Sequence, residues 1–149
     1  MKHKDLTAKI IECAYKVHNT LGFGFLESVY QNALLIELEE NGLQAGKEVP
    51  CKVFYGEKIV GDYVADIIVE DKVIIELKSV KDLHPAHEAQ LVNYLKATGL
   101  EVGLLINFAE SVKIKRKVLD RSSSLSEGID SLWNPDARIQ KEKINKSNP

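Results

Sequence analysis

The stretch "VADIIVEDKVIIELK", Val64 to Lys78, sets charges into two short runs of Val and Ile. Asp66 stands in the first run, and Glu76 and Lys78 stand two residues apart in the second. Runs of this kind favour half-buried or buried strands. Like charges drawn together out of water cost several kcal/mol unless a cation offsets them. Two carboxylates beside one lysine stay net negative, so a divalent ion is the natural remainder. Oxygen donors with open positions suit Mg²⁺ or Mn²⁺, which take one or two carboxylates and keep room for water and phosphate oxygens. The plain alternative is an exposed strand end with solvated charges.

Strand geometry decides between the two. Side chains alternate along a strand, which sends Ile74, Glu76 and Lys78 one way and Val73, Ile75 and Leu77 the other. Asp66 joins Glu76 only in one register. If Val69 pairs with Val73 around a three-residue loop, Asp66 lies across from Glu76, with Cβ atoms roughly 5 Å apart. A two-residue loop throws Asp66 onto the opposite face. The metal reading therefore predicts an odd loop.

Other residues could complete such a site. "GFLESVY" puts Glu27 and Tyr30 on one helical face, with Leu34 a turn further on. A first-turn acid such as Glu27 is also favoured by the helix dipole alone. Gln90 and Tyr94 are one helical turn apart, with His87 above them. Taken singly, Tyr94 reads as a half-buried core residue, Gln90 as a surface polar and His87 as structural or exposed. Between Ala109 and Arg121 a locally basic stretch carries Lys113, Lys115, Arg116, Lys117 and Arg121. It could guide a phosphate backbone or keep an edge strand from aggregating.

The elements that must hold these residues follow from periodicity. Leu6, Ile10, Cys13, Ala14, Val17 and Leu21 predict an amphipathic helix over 5–21, which "GFG" at 22–24 interrupts. A second helix runs from about Leu26 to Asn41, before the "NG" stop signal. Alternation predicts strands over 48–55, 58–69 and 73–79. Pro50 confines the first to an edge or a late start, and Gly61 suggests a bulge in the second. "HPAHEAQLVNYLKATG" reads as a helix with Pro85 in its first turn and Gly99 at its end. "EVGLLINF" suits a central strand covered on both faces, and "SVKIKRKVL" adds an edge strand. This is a mixed α/β sandwich, with helices covering a sheet that begins antiparallel and gains a crossover strand.

At 149 residues, 44% hydrophobic and 28% charged, the chain fits one globular domain. Residues 1–120 form that domain, and 121–149 read as a polar, mobile tail that Trp133 could anchor in part. No apolar run is long enough to cross a membrane and no signal peptide is visible, so a cytoplasmic protein is expected. Cys13 and Cys51 lack metal-site spacing and sit in apolar patterns, as reduced packing residues do. A net charge of −2 argues against a passive nucleic-acid binder.

Gly24-x-x-Glu27-x-x-Tyr30, "YVADIIVEDKVIIELKSV", "HEAQLVNYLKATGLEVGLLINF" and "KIKRKV", in that order, resemble the GxxExxY family of the PD-(D/E)xK nuclease-like superfamily. The resemblance covers residues 5–119 and leaves out the tail. It implies an αβββαβ restriction-endonuclease-like core and a metal-dependent phosphodiesterase site. Asp66 and Glu76 match the metal-binding carboxylates and Lys78 the catalytic lysine. Glu27 matches the helical acid that completes the metal shell, and Gln90 and Tyr94 match a Gln-x-x-x-Tyr element. Ala65 stands where the superfamily's name has proline. The Leu77 carbonyl is a third protein ligand on this reading. The implied activity is Mg²⁺- or Mn²⁺-dependent nucleic-acid hydrolysis, with DNA expected ahead of RNA. Two rivals are a non-catalytic nucleic-acid or protein binding module on the same fold, and an assembly protein acting through its helices or tail.

Overall fold

A computed structural model describes residues 2–120. The expected tail, Arg121 and Trp133 included, lies outside them. The elements run α1 (Lys4–Leu21), α2 (Glu27–Glu40), β1 (Ala45–Tyr55), β2 (Lys58–Val69), β3 (Val73–Lys78), α3 (Pro85–Thr98), β4 (Val102–Phe108) and β5 (Val112–Val118). Their order is the one predicted. They build one five-stranded sheet in the order β1-β2-β3-β4-β5. Neighbours are antiparallel except β3 and β4, which are parallel because α3 carries the chain back between them.

Each break between elements has a local cause. Gly22 and Gly24 take φ of 73° and 107°, a region where an L side chain is strained, and this ends α1 before α2 begins. Gly99, at φ 78°, closes α3. The start of α3 is capped by two histidines. The His84 ring accepts from the Ala86 N–H at 3.0 Å, and the His87 ring accepts from the His84 N–H at 3.1 Å. His87 thus has a structural role at the start of α3. Pro50 sits on β1, an edge strand where a missing N–H does least harm.

Two layers cover the sheet. α1 and α2 pack on one face around Ile10, Val17, Tyr30, Leu34 and Leu38, against Ile67, Val69, Val73, Ile75, Leu77, Leu104 and Ile106. α3 packs on the other through Leu91, Tyr94 and Leu95, against Cys51, Ala65, Ile68, Ile74 and Leu105. Cys13 and Cys51 are buried, one in each layer. No helix among the described residues is long and apolar enough to cross a membrane.

Two strand details differ from expectation. The β1–β2 bulge falls at Val60, between the pairs Phe54↔Ile59 and Val53↔Gly61, one residue before the glycine. β1 also starts at Ala45 rather than at Glu48, because the chain stays extended on both sides of a residue out of the regular ladder. Glu48 has φ 52°, and the pairing passes from Lys47↔Ile67 to Val49↔Ala65 without it.

Candidate active site

Val69 pairs with Val73, Ile68 with Ile74 and Ile67 with Ile75, so Glu70, Asp71 and Lys72 form the odd loop that the site requires. Glu70 and Asp71 hold it in left-handed conformations, with φ of 54° and 53°. The Glu70 carboxylate and N–H bond the Gln44 N–H and carbonyl, each at 2.8 Å, and fix the turn. The same register carries Asp66 to the position facing Glu76.

There the ladder opens. Asp66 has no backbone pairing to β1 or β3. Its Oδ2 instead accepts the Leu77 N–H at 2.7 Å, and its carbonyl accepts from Gln31 Nε2 on α2 at 3.0 Å. Alternation also breaks, since Ala65 packs with Ile68 on the α3 side rather than with Ile67. Side chains replace strand partners here, and the carboxylate is free to turn toward Glu76.

Glu76 is 6% exposed, and its Oε2 is buried with no hydrogen-bond partner. Burial pushes its carboxyl from the ordinary 4.5 up to about 9; a hydrogen bond to Asp66 and the Asp66 charge push the same way. Lys78, half-buried two residues on, pulls it down, and Glu27 adds the smallest push. Burial and the neighbouring Asp66 thus both disfavour a second negative charge at this position. A buried carboxylate oxygen with no donor, next to a second carboxylate, fits a hard cation.

Asp66, Glu76 and Lys78 thus come together as predicted. Glu27, exposed at the first residue of α2, stands further out, and its charge still reaches Glu76. Among the described residues no three His, Cys, Asp or Glu side chains form a ready-made metal cage. Protein groups would hold an ion from one side only, which leaves positions for water and substrate. Gln90 Nε2 donates to Tyr94 Oη at 2.8 Å. Tyr94 is buried, with its hydroxyl pushed up by burial and then by the Glu76 charge, so its ring lies on the carboxylate side of the sheet. Its edge meets the ring of Tyr63 on β2, with centroids 5.7 Å apart.

Residues 4–118 match the family described as the PD-(D/E)XK nuclease superfamily. The chain belongs to that superfamily. No curated protein matches the sequence. Among solved structures, the crystal structure of SSO0001 is similar at 20% identity and a TM-score of 0.50, over 87% of this chain and 67% of that one. An alkaline exonuclease, LHK-Exo from Laribacter hongkongensis, is similar at 13% identity and a TM-score of 0.48, over 97% of this chain and 83% of its own. PD-(D/E)XK nucleases generally use divalent metals, in keeping with the donor set found here.

This member of the superfamily also shows why the Gly24-x-x-Glu27-x-x-Tyr30 spacing matters. Gly24 supplies the positive φ. Tyr30, fully buried and stacked on Phe108 at 4.5 Å, donates its hydroxyl to the Gly22 carbonyl at 2.7 Å and accepts from the Phe25 N–H at 3.3 Å. Ser79 Oγ, just past Lys78, donates to the Phe25 carbonyl at 2.8 Å. The loop before Glu27 is thereby tied to both the core and the end of β3.

Three residues were missed in the sequence: Gln31, Ser79 and Asn107. Asn107 pairs with Lys78 in register and clamps Val80 through both its carbonyl and its N–H, at 2.8 and 3.0 Å. A polar residue inside the apolar run "EVGLLINF" was its signal; for Gln31, it was a polar residue one turn after Glu27. The basic stretch divides. Lys113 and Lys115 are in register with Asn107 and Leu105, on the face of Lys78 and Glu76. Lys117 pairs with Glu88 at 2.8 Å, and Arg116 bonds the Lys2 carbonyl.

Proposed function

We propose that the protein is a metal-dependent nuclease of the GxxExxY group that hydrolyses phosphodiester bonds, with DNA as its first candidate substrate. The observation that carries the reading is the buried, partnerless Oε2 of Glu76 beside Asp66. Asp66 and Glu76 would hold Mg²⁺ or Mn²⁺, with the Leu77 carbonyl as a third protein ligand and Glu27, which stands further out, acting through water. Such an ion supplies positive charge against a phosphodiester oxygen and makes water more acidic.

The chain's own groups do the rest. Lys78, beside the carboxylates, neutralises charge that grows on the phosphate and orients the attacking water. Gln90 and Tyr94, joined by their hydrogen bond, position Lys78 or the nucleic-acid backbone. Lys113 and Lys115, on the same face, attract the flanking phosphates.

The test is incubation with Mg²⁺ or Mn²⁺ and labelled single- and double-stranded DNA and RNA, beside a Glu76→Ala control. Metal-dependent cleavage that the control lacks is expected. Nucleic-acid binding that ignores the metal, without cleavage, would instead support a binding module on the same fold.

A further inference from the structure

The carboxylate pair depends on a residue that touches neither a metal nor a substrate. Asp66 can reach toward Glu76 only because its own backbone is out of the sheet, and a carbonyl withdrawn from a ladder needs another donor. Glu48, which stands opposite in the β1 register, has left the ladder at φ 52°. Gln31 provides the donor from α2: it is 8% exposed, and its Nε2 lies 3.0 Å from the Asp66 carbonyl. Glu27 lies one turn earlier on the same helix and the same face.

We infer that Gln31 is a positioning residue that couples α2, and with it Glu27, to Asp66, and so presets the geometry of the divalent-metal site. The inference rests on the metal reading proposed above. With the amide in place, the Asp66 backbone has one position, its Oδ2 stays on the Leu77 N–H, and the carboxylate is kept beside Glu76. Without it, the carbonyl would seek water or the β1 strand, and the carboxylate would be drawn off with it. Partners that orient metal ligands in this way typically hold about 10–100-fold in metal affinity.

The experiment compares the full-length parent with Gln31→Met, which keeps length and apolar packing but cannot donate, and Gln31→Glu, which keeps shape but accepts. Mn²⁺ affinity is measured by calorimetric titration, and exchange of the Leu77 amide by NMR on metal-free protein. Two variants keep the test intact should one fold poorly. Expected are a loss of Mn²⁺ affinity of about ten-fold or more, faster Leu77 exchange, and cleavage that returns toward the parent rate at saturating Mn²⁺. Parent-like Mn²⁺ affinity and Leu77 exchange in both variants would overturn the role of Gln31, and would leave the nuclease reading standing if the parent cleaves. A parent that binds Mn²⁺ with the expected Gln31 dependence but cleaves no nucleic acid would remove the nuclease reading and support this one. A parent that binds no Mn²⁺ would overturn both.

Discussion

β3 sends Val73, Ile75 and Leu77 into one helical layer and Ile74, Glu76 and Lys78 toward the other, and the two layers bury different things. The α1/α2 layer encloses a continuous apolar cluster running from Ile10 to Val112. The α3 layer is smaller, built on Leu91, Tyr94, Leu95, Ile68, Ile74 and Leu105, and its edge opens onto Asp66 and Glu76. The first layer makes the fold stable; the second holds two carboxylates in a place that favours neither of their charges. One strand can serve both ends because alternation separates them by a single residue.

If this division holds, mutations on the two faces should fail in opposite ways. The largest effect is expected for Asp66→Ala, which should lose metal-dependent cleavage altogether while its metal-free urea midpoint stays near that of the parent. A variant that still cleaves at the parent rate after chelation and repurification would place the chemistry elsewhere. On the other face, Leu104→Ala should lower stability by about 2–5 kcal/mol through the cavity it leaves, as measured by urea unfolding. A near-neutral result would show that the α1/α2 layer is not the main source of stability.

A subtler contrast is electrostatic. Because the Glu76 carboxyl is raised from 4.5 to about 9, the unfolded chain releases that proton first as pH rises. The group's stabilising contribution is complete below 4.5 and is lost as pH climbs through about 9. In chelator, the urea midpoint of the parent should therefore fall across this window relative to Glu76→Gln, which has no such proton to lose. Parallel pH profiles would contradict the buried, raised carboxyl. The smallest effect belongs to Tyr30→Phe, which keeps the ring on Phe108 and removes the hydroxyl bonds to the loop before Glu27. A cost of about 1 kcal/mol is expected, checked by thermal unfolding.

The sequence revealed most where one physical rule decided the matter. Periodicity gave the order of the helices and strands, though it started β1 three residues late, and it narrowed the Asp66–Glu76 question to a loop length, which the Val69–Val73 pairing then settled. Less was legible where side chains replaced backbone partners. The opened ladder at Asp66 depends on Gln31 from a helix 35 residues away, and no local pattern announces such a bond. His87 shows the same limit from the other side. A histidine a turn before Gln90 fits a catalytic pattern and a helix cap equally well, and only the His84 N–H at 3.1 Å shows the cap. The basic stretch could not be divided from composition, because strand pairing is what puts Lys113, Lys115 and Lys117 on the carboxylate face and Arg116 on the other, and only the contact with Glu88 takes up Lys117.

The central claim is that Asp66 and Glu76 are a divalent-metal site in which burial and Asp66 raise the Glu76 carboxyl. Proton release on adding Mn²⁺ to the metal-free protein at neutral pH, followed by calorimetry in buffers of different ionisation heat, tests it most directly. The account predicts saturable binding with release of close to one proton in the parent, and loss of both in Glu76→Gln. Binding of equal affinity in the two proteins, or binding with no proton released, would contradict it.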